Sequence, residues 1–146
     1  MLRRWYYGLV DRWQRCRRGI HYTCRRCGAC CSRRGSVFFT REELRQAATA
    51  LGIGEGEFRA RYVTAKLDSL YEIFTEDACP LLDPEGNCRI YAVRPEQCRS
   101  YPFWRSRLQY RAQRRQLKRE CPGFGRGRYY SPEEIERRIR GKNSEY

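Results

Sequence analysis

Long apolar runs are missing from this sequence. No stretch of the 146 residues approaches the ~18–20 consecutive apolar residues that a membrane span needs. The opening "MLRRWYYGLVDRWQRCRRG" has the positive start of an export signal. Asp11, Arg12 and Arg15 interrupt any apolar segment, however, and no small-residue cleavage site follows. The chain therefore reads as cytoplasmic, with no membrane span. Histidine is nearly absent as well. His21 is the only one, no Ser/His/Asp set is visible, and its place beside Tyr22 suits a structural role better than a ligand role. No phosphate-binding glycine loop is present: Gly123, Gly125 and Gly127 follow a cysteine without the strand–loop–helix order such a site needs. Apolar residues make up only 40% of the chain, and the mean hydropathy is −0.89. A core this small gains real stability from any metal cross-link between distant segments.

What the sequence does have is cysteine. "YTCRRCGACCSRRG", residues 22–35, places Cys24, Cys27, Cys30 and Cys31 within eight positions. Cys79, Cys88, Cys98 and Cys121 are dispersed behind them, and Cys16 stands apart in an Arg-rich segment, nine in all. An odd total excludes a fully paired disulfide set, and cytosolic thiols are normally kept reduced, so the pattern argues for metal. Cys16 reads as an incidental half-buried thiol. Cys27-Gly-Ala-Cys30 has the spacing of a thioredoxin-type redox pair but lacks the strand–helix context. Thiolates two residues apart in a turn can converge on one metal. Cys24, Cys27 and Cys30 form C-x2-C-x2-C, the first three ligands of a bacterial ferredoxin run, whose fourth cysteine precedes proline. Cys79-Pro80 and Cys121-Pro122 are two remote Cys-Pro pairs. In an extended segment the adjacent Cys30 and Cys31 would point opposite ways and serve two sites. Eight thiols would fill two four-cysteine sites: two zinc ions, two clusters, or one of each.

Charge is the second strong signal. There are 31 basic and 17 acidic residues, a formal net charge of +14. Residues 1–34 carry ten Arg and one Asp, a net of +9; residues 41–96 carry a net of −4; residues 105–128 carry nine basic residues and one Glu, a net of +8. This asymmetry suggests a polyanionic partner, nucleic acid or an acidic protein, against the plainer reading of solvated arginine-rich faces.

The scaffold expected around these features is α+β: a small single domain organised by cysteine-bound metal, with peripheral helices. Residues 1–20 read as a basic amphipathic helix, 21–125 as the cysteine-cluster domain, and 126–146 as a C-terminal loop and helix. "SVFF" and the alternating "SLYEIF" read as strands. Thr40 and Glu43 form a capping box opening a helix that Gly52 closes. "GEGEFRARYVTAKL" is a weaker helix or turn. Asp83-Pro84-Glu85-Gly86 has turn chemistry and would make a hairpin of "LL" and "CRIY", bringing Cys79 near Cys88. Pro95 suits the start of a short helix presenting Cys98. "RSRLQYRAQRRQLKRE" is open between strand and helix, and "PGFGRGRYY" reads as a Gly-rich loop. "SPEEIERRIR" starts a helix with Ser131 as cap, Pro132 in the first turn and Glu134 closing a capping box.

"CRRCGACC", "CPLL", "CRIYAVRPEQCRSYPF" and a late cysteine together resemble the bacterial cysteine-cluster family of the YkgJ kind, whose domain is described as zinc- or iron-chelating. The resemblance runs from about Cys24 to Cys121. It implies that the metal ligands are Cys24, Cys27, Cys30, Cys31, Cys79, Cys88, Cys98 and Cys121, with Cys16 outside the motif. Related domains occur in bacterial flagellin lysine methylases that carry an iron–sulfur cluster; this chain is short for a methylase region as well. Around Cys98, Arg94 and Arg99 are placed to offset thiolate charge, and Tyr91, Tyr101 and Phe103 to exclude water. Two functions follow. One is an iron–sulfur protein, such as one with a [4Fe-4S] cluster, acting in redox chemistry or as an enzyme's metal-bearing domain. The other is a structural zinc domain that binds nucleic acid or a protein through its arginines.

Overall fold

Alternation along residues 70–75 dictates the first sheet. In the computed structural model, which describes residues 18–141, the strand Leu70–Thr75 turns Tyr71, Ile73 and Thr75 inward and lies at the centre of a three-stranded antiparallel sheet. Of the amphipathic helix expected over 1–20, residues 1–17, and Cys16 with them, lie outside the described residues, and Ile20 already belongs to a strand. The fold class is α+β, as expected. By its internal contacts the chain divides into two units, Arg26–Tyr101 and Met1–Arg25 with Pro102–Tyr146.

In the Arg26–Tyr101 unit, β2 (Gly35–Thr40) pairs with β4 (Leu70–Thr75) from Gly35↔Thr75 to Thr40↔Leu70, and β3 (Ala65–Leu67) pairs on the other side of β4. α1 (Arg41–Ala50) begins with the expected capping box, Thr40 accepting from the Glu43 N–H while Glu43 accepts from the Thr40 N–H. Leu44, Ala47 and Ala48 are its buried face. Gly52, at φ +69°, follows the helix end. The weaker segment after it is a helix only in its first part, α2 (Glu55–Tyr62), anchored by the fully buried Phe58, and its end forms β3. Phe39, Leu44, Phe58, Ile73, Leu81 and Ile90 join one core, against which Cys79 and Cys88 pack. The expected 79–91 hairpin is reduced to one bridge, Leu82↔Cys88, because Asp83 and Asn87 close the turn on themselves: the Asp83 N–H donates to the Asn87 carbonyl (2.8 Å) and the Asn87 N–H to the Asp83 carboxylate (2.7 Å). A single 3-10 turn, Tyr91–Val93, leads to α3 (Glu96–Ser100), with Pro95 at its N-cap.

In the other unit, β1 (Ile20–Tyr22) and β5 (Phe124–Tyr130) form an antiparallel ribbon. The expected Gly-rich loop is therefore a strand, with a bulge. His21 pairs with Tyr129 and Tyr22 with Phe124, and Gly125 and Gly127 take φ +85° and +77° in the extra residues between. The basic segment left open resolves into two helices, α4 (Arg105–Leu108) and α5 (Arg111–Glu120); Leu108 and Leu117 are its buried positions. α6 (Pro132–Arg140) has Ser131 as cap and Pro132 at the start, as expected, and buries Ile135. Its capping box is only half formed: the Glu134 carboxylate pairs instead with Arg128 (2.7 Å) and Arg138 (3.5 Å).

Candidate metal centre

The cysteine cluster is held by a turn that only glycine permits. Gly28 sits at φ +71°, and a Cβ there would meet the Gly86 carbonyl oxygen at 2.6 Å. The Gly28 carbonyl accepts from the Cys31 N–H (2.9 Å) and the Ser32 hydroxyl (3.0 Å), so residues 28–32 curl tightly. Cys30 and Cys31 therefore do not point opposite ways as in an extended segment. Their sulfurs lie 4.0 Å apart, within one group of thiols. The Cys31 carbonyl in turn accepts from the Cys79 N–H at 2.7 Å, which ties the cluster to the Cys79–Cys88 turn.

Cys98 arrives from a different direction. Gln97 mimics a strand partner on the edge of β2: its amide donates to the Ser36 carbonyl (3.0 Å) and accepts from the Phe38 N–H (2.9 Å). Glu43 holds the same helix at its first residue. One carboxylate oxygen caps α1 and the other accepts from the Glu96 N–H at 2.7 Å. One side chain thus serves two helix N-termini and sets where Cys98 stands.

The electrostatics couple five of the thiols. Cys30 is pulled down to about 6, first by the hydrogen bond that the Cys31 thiol donates to it and further by Arg94 and Arg33. Cys31, as donor, is pushed up, by that bond, by burial and by the charge of Cys30, Cys79 and Cys98. Burial raises Cys79 and Cys88, with the neighbouring thiols adding to it. Cys98 is pushed up to about 12, by burial first and then by Cys30, Cys79 and Cys88, with Arg94 opposing. Cys30, Cys31, Cys79, Cys88 and Cys98 are therefore one electrostatically coupled set. None of the five is in a disulfide. Among the described residues, no three Cys, His, Asp or Glu side chains close onto a common point at ligating distance.

Cys27 belongs to the same unit and is exposed; Cys24 and Cys121 belong to the other unit. The two arginines named from the sequence separate. Arg94 acts on Cys30, Cys88 and Cys98, and its guanidinium lies 3.6 Å from the Tyr91 ring centroid while donating to the Tyr91 carbonyl. Arg99 is directed to Glu96 (3.2 Å) and Glu43 (3.9 Å). Arg33 and Arg26 were not singled out by sequence reasoning. Arg33 follows the cluster by two positions and acts on Cys30; Arg26 stacks on Tyr91 at 4.1 Å. Phe103 packs in the other unit, against Tyr22 and Tyr130. Tyr101 is buried.

Soft thiolates with guanidinium neighbours form a donor set for zinc or iron rather than for hard cations. Fold and site together define a cysteine-rich metal-binding domain. A family model described as "Putative zinc- or iron-chelating domain", CxxCxxCC, matches residues 23–122, and the chain belongs to that family. No solved structure matches it. No helix among the described residues is long and apolar enough to cross a membrane.

Proposed function

We propose that the metal is an iron–sulfur cluster and that the protein works in electron transfer or as the metal-bearing domain of an enzyme system. The observation that carries this is the gathering of thiols within one unit, where the Cys30 and Cys31 sulfurs lie 4.0 Å apart and the Cys31 carbonyl holds the Cys79 N–H. The C-x2-C-x2-C spacing and the Cys-Pro pairs support it. These five would hold the group, with Cys27, Cys24 and Cys121 as further ligand candidates on the motif alone. A bound cluster would supply one-electron redox chemistry. Arg94 and Arg33 would offset the charge of the thiolates, and hydrogen bonds and charge near the sulfurs would tune the potential. Protein purified without oxygen should be brown and contain iron and sulfide. Colourless protein containing zinc would overturn the cluster reading in favour of a structural zinc domain.

A further inference from the structure

Outside the thiol group, the unit holding residues 102–141 concentrates unmatched positive charge. Among the described residues its carboxylates are taken up internally: Glu120 by Arg107, Glu134 by Arg128 and Arg138, Glu136 by Arg140, and Glu133 by the Ser131 hydroxyl. Arg111, Arg115, Lys118 and Arg119 on α5 are exposed and have no carboxylate of the described residues at ion-pair distance. Their spacing of four, three and one residues puts them on one side of the helix, along about 12 Å. Arg114 faces differently, donating to the carbonyls of Leu108 and Arg18, and so ties α5 to the start of β1.

The ribbon adds a second, independent feature. Tyr129 is 55% exposed, one of only two large apolar side chains so exposed among the described residues. Its ring lies across the backbone of Gly19, where a Cβ would meet the phenol at 2.3 Å, and beside the exposed His21 ring at 5.2 Å. The ring is thus backed on a glycine and held by a neighbour while much of it faces solvent. Arg18 precedes the ribbon and Arg126 stands in its bulge, both exposed and neither ion-paired with another described residue. Cations alone fit any polyanion. A supported, exposed aromatic among cations fits a polyanion that also presents flat π-faces, which is how single strands are bound without sequence preference.

We propose that the β1–β5 ribbon and the exposed side of α5 bind single-stranded nucleic acid, Tyr129 stacking on a base and Arg111, Arg115, Arg119 and Arg126 contacting phosphates. Phosphate contacts and base stacking carry no sequence information, so binding is insensitive to sequence. This rests on the 102–141 unit and is independent of which metal the thiols hold.

The test uses the full chain with its metal in place and fluorescein-labelled 20-mers of oligo(dT), oligo(U) and a mixed-sequence duplex, followed by anisotropy from about 50 to 300 mM salt. Single strands should bind more tightly than the duplex. Tyr129→Ala should weaken single-strand binding roughly tenfold or more, with Tyr129→Phe near parental, since stacking contributes about 1–3 kcal/mol per base. Arg111→Gln/Arg115→Gln/Arg119→Gln should lower the slope of log K against log salt by about 2. Metal content and circular dichroism should be unchanged in all three. No binding at about 50 mM salt would overturn the proposal. So would tighter binding of the duplex, parental single-strand binding by Tyr129→Ala, or polyglutamate competing as well as oligo(dT), which would make the surface a site for an acidic protein.

Discussion

Replacing Gly28 by alanine tests whether the cysteine cluster is held as described. Two penalties combine there. An L residue at φ +71° costs about 1–2 kcal/mol in backbone sterics. The new Cβ would also lie 2.6 Å from the Gly86 carbonyl oxygen, and because that atom is backbone the 28–32 turn must move. Moving it strains the bonds that the Gly28 carbonyl accepts from Cys31 and Ser32, each contributing about 1 kcal/mol. The expected loss is about 2–4 kcal/mol, with metal retention falling because the same turn carries Cys30 and Cys31. Gly86→Ala isolates the first penalty: φ is +85° but nothing lies within 4 Å of the new Cβ, so about 1–2 kcal/mol should be lost. Gly56→Ala, at an exposed position in α2 with no positive φ and open space, should stabilise by about 0.5–1 kcal/mol. Urea unfolding of the metal-loaded proteins, compared by midpoint at unchanged m-value, ranks the three. A Gly28→Ala loss no larger than that of Gly86→Ala would refute the close approach of the two turns.

Three further outcomes are expected. Glu43→Ala removes acceptors from the starts of both α1 and α3 and should cost about 2 kcal/mol in the same assay, with Glu43→Gln retaining part of the loss; near-parental stability for the alanine variant would show that the shared cap contributes nothing. Cys98→Ser should lose most of the bound metal, measured by elemental analysis, while Cys16→Ser loses none; equal losses would bring Cys16 into the ligand set. Metal loading should release protons, because Cys98, Cys31, Cys79 and Cys88 are held protonated at neutral pH, so apparent affinity falls about tenfold per pH unit lowered for each proton displaced, which a pH-stat titration counts. In metal-free protein the raised Cys98 pKa has the complementary sign: the neutral thiol stabilises the fold below its ordinary value of 9.0, and that contribution is lost as pH rises toward about 12.

Local chemistry was readable from the sequence wherever neighbours along the chain decide the outcome. The Thr40–Glu43 box, the alternation of residues 70–75 and the Ser131-Pro132 helix start all formed, because each rests on hydrogen bonds or periodicity within a few residues. The family was readable for the same reason, since its signature is spacing. Outcomes set by distant partners were not. "PGFGRGRYY" became a strand because Ile20–Tyr22, a hundred residues away, supplies its ladder; its glycines serve the bulge and the close approach to Thr23 rather than a loop. Glu134 closed no box because Arg128 and Arg138 compete for its carboxylate. Arg94 and Arg99 looked equivalent around Cys98, yet helical geometry sends Arg99 back to Glu96 and leaves Arg94 to the sulfurs. The grouping of five thiols belongs to the tertiary structure alone. Spacing names the cysteines, but the pairing of a glycine turn with a carbonyl, and of Gln97 with a strand edge, decides which sulfurs share one electrostatic field.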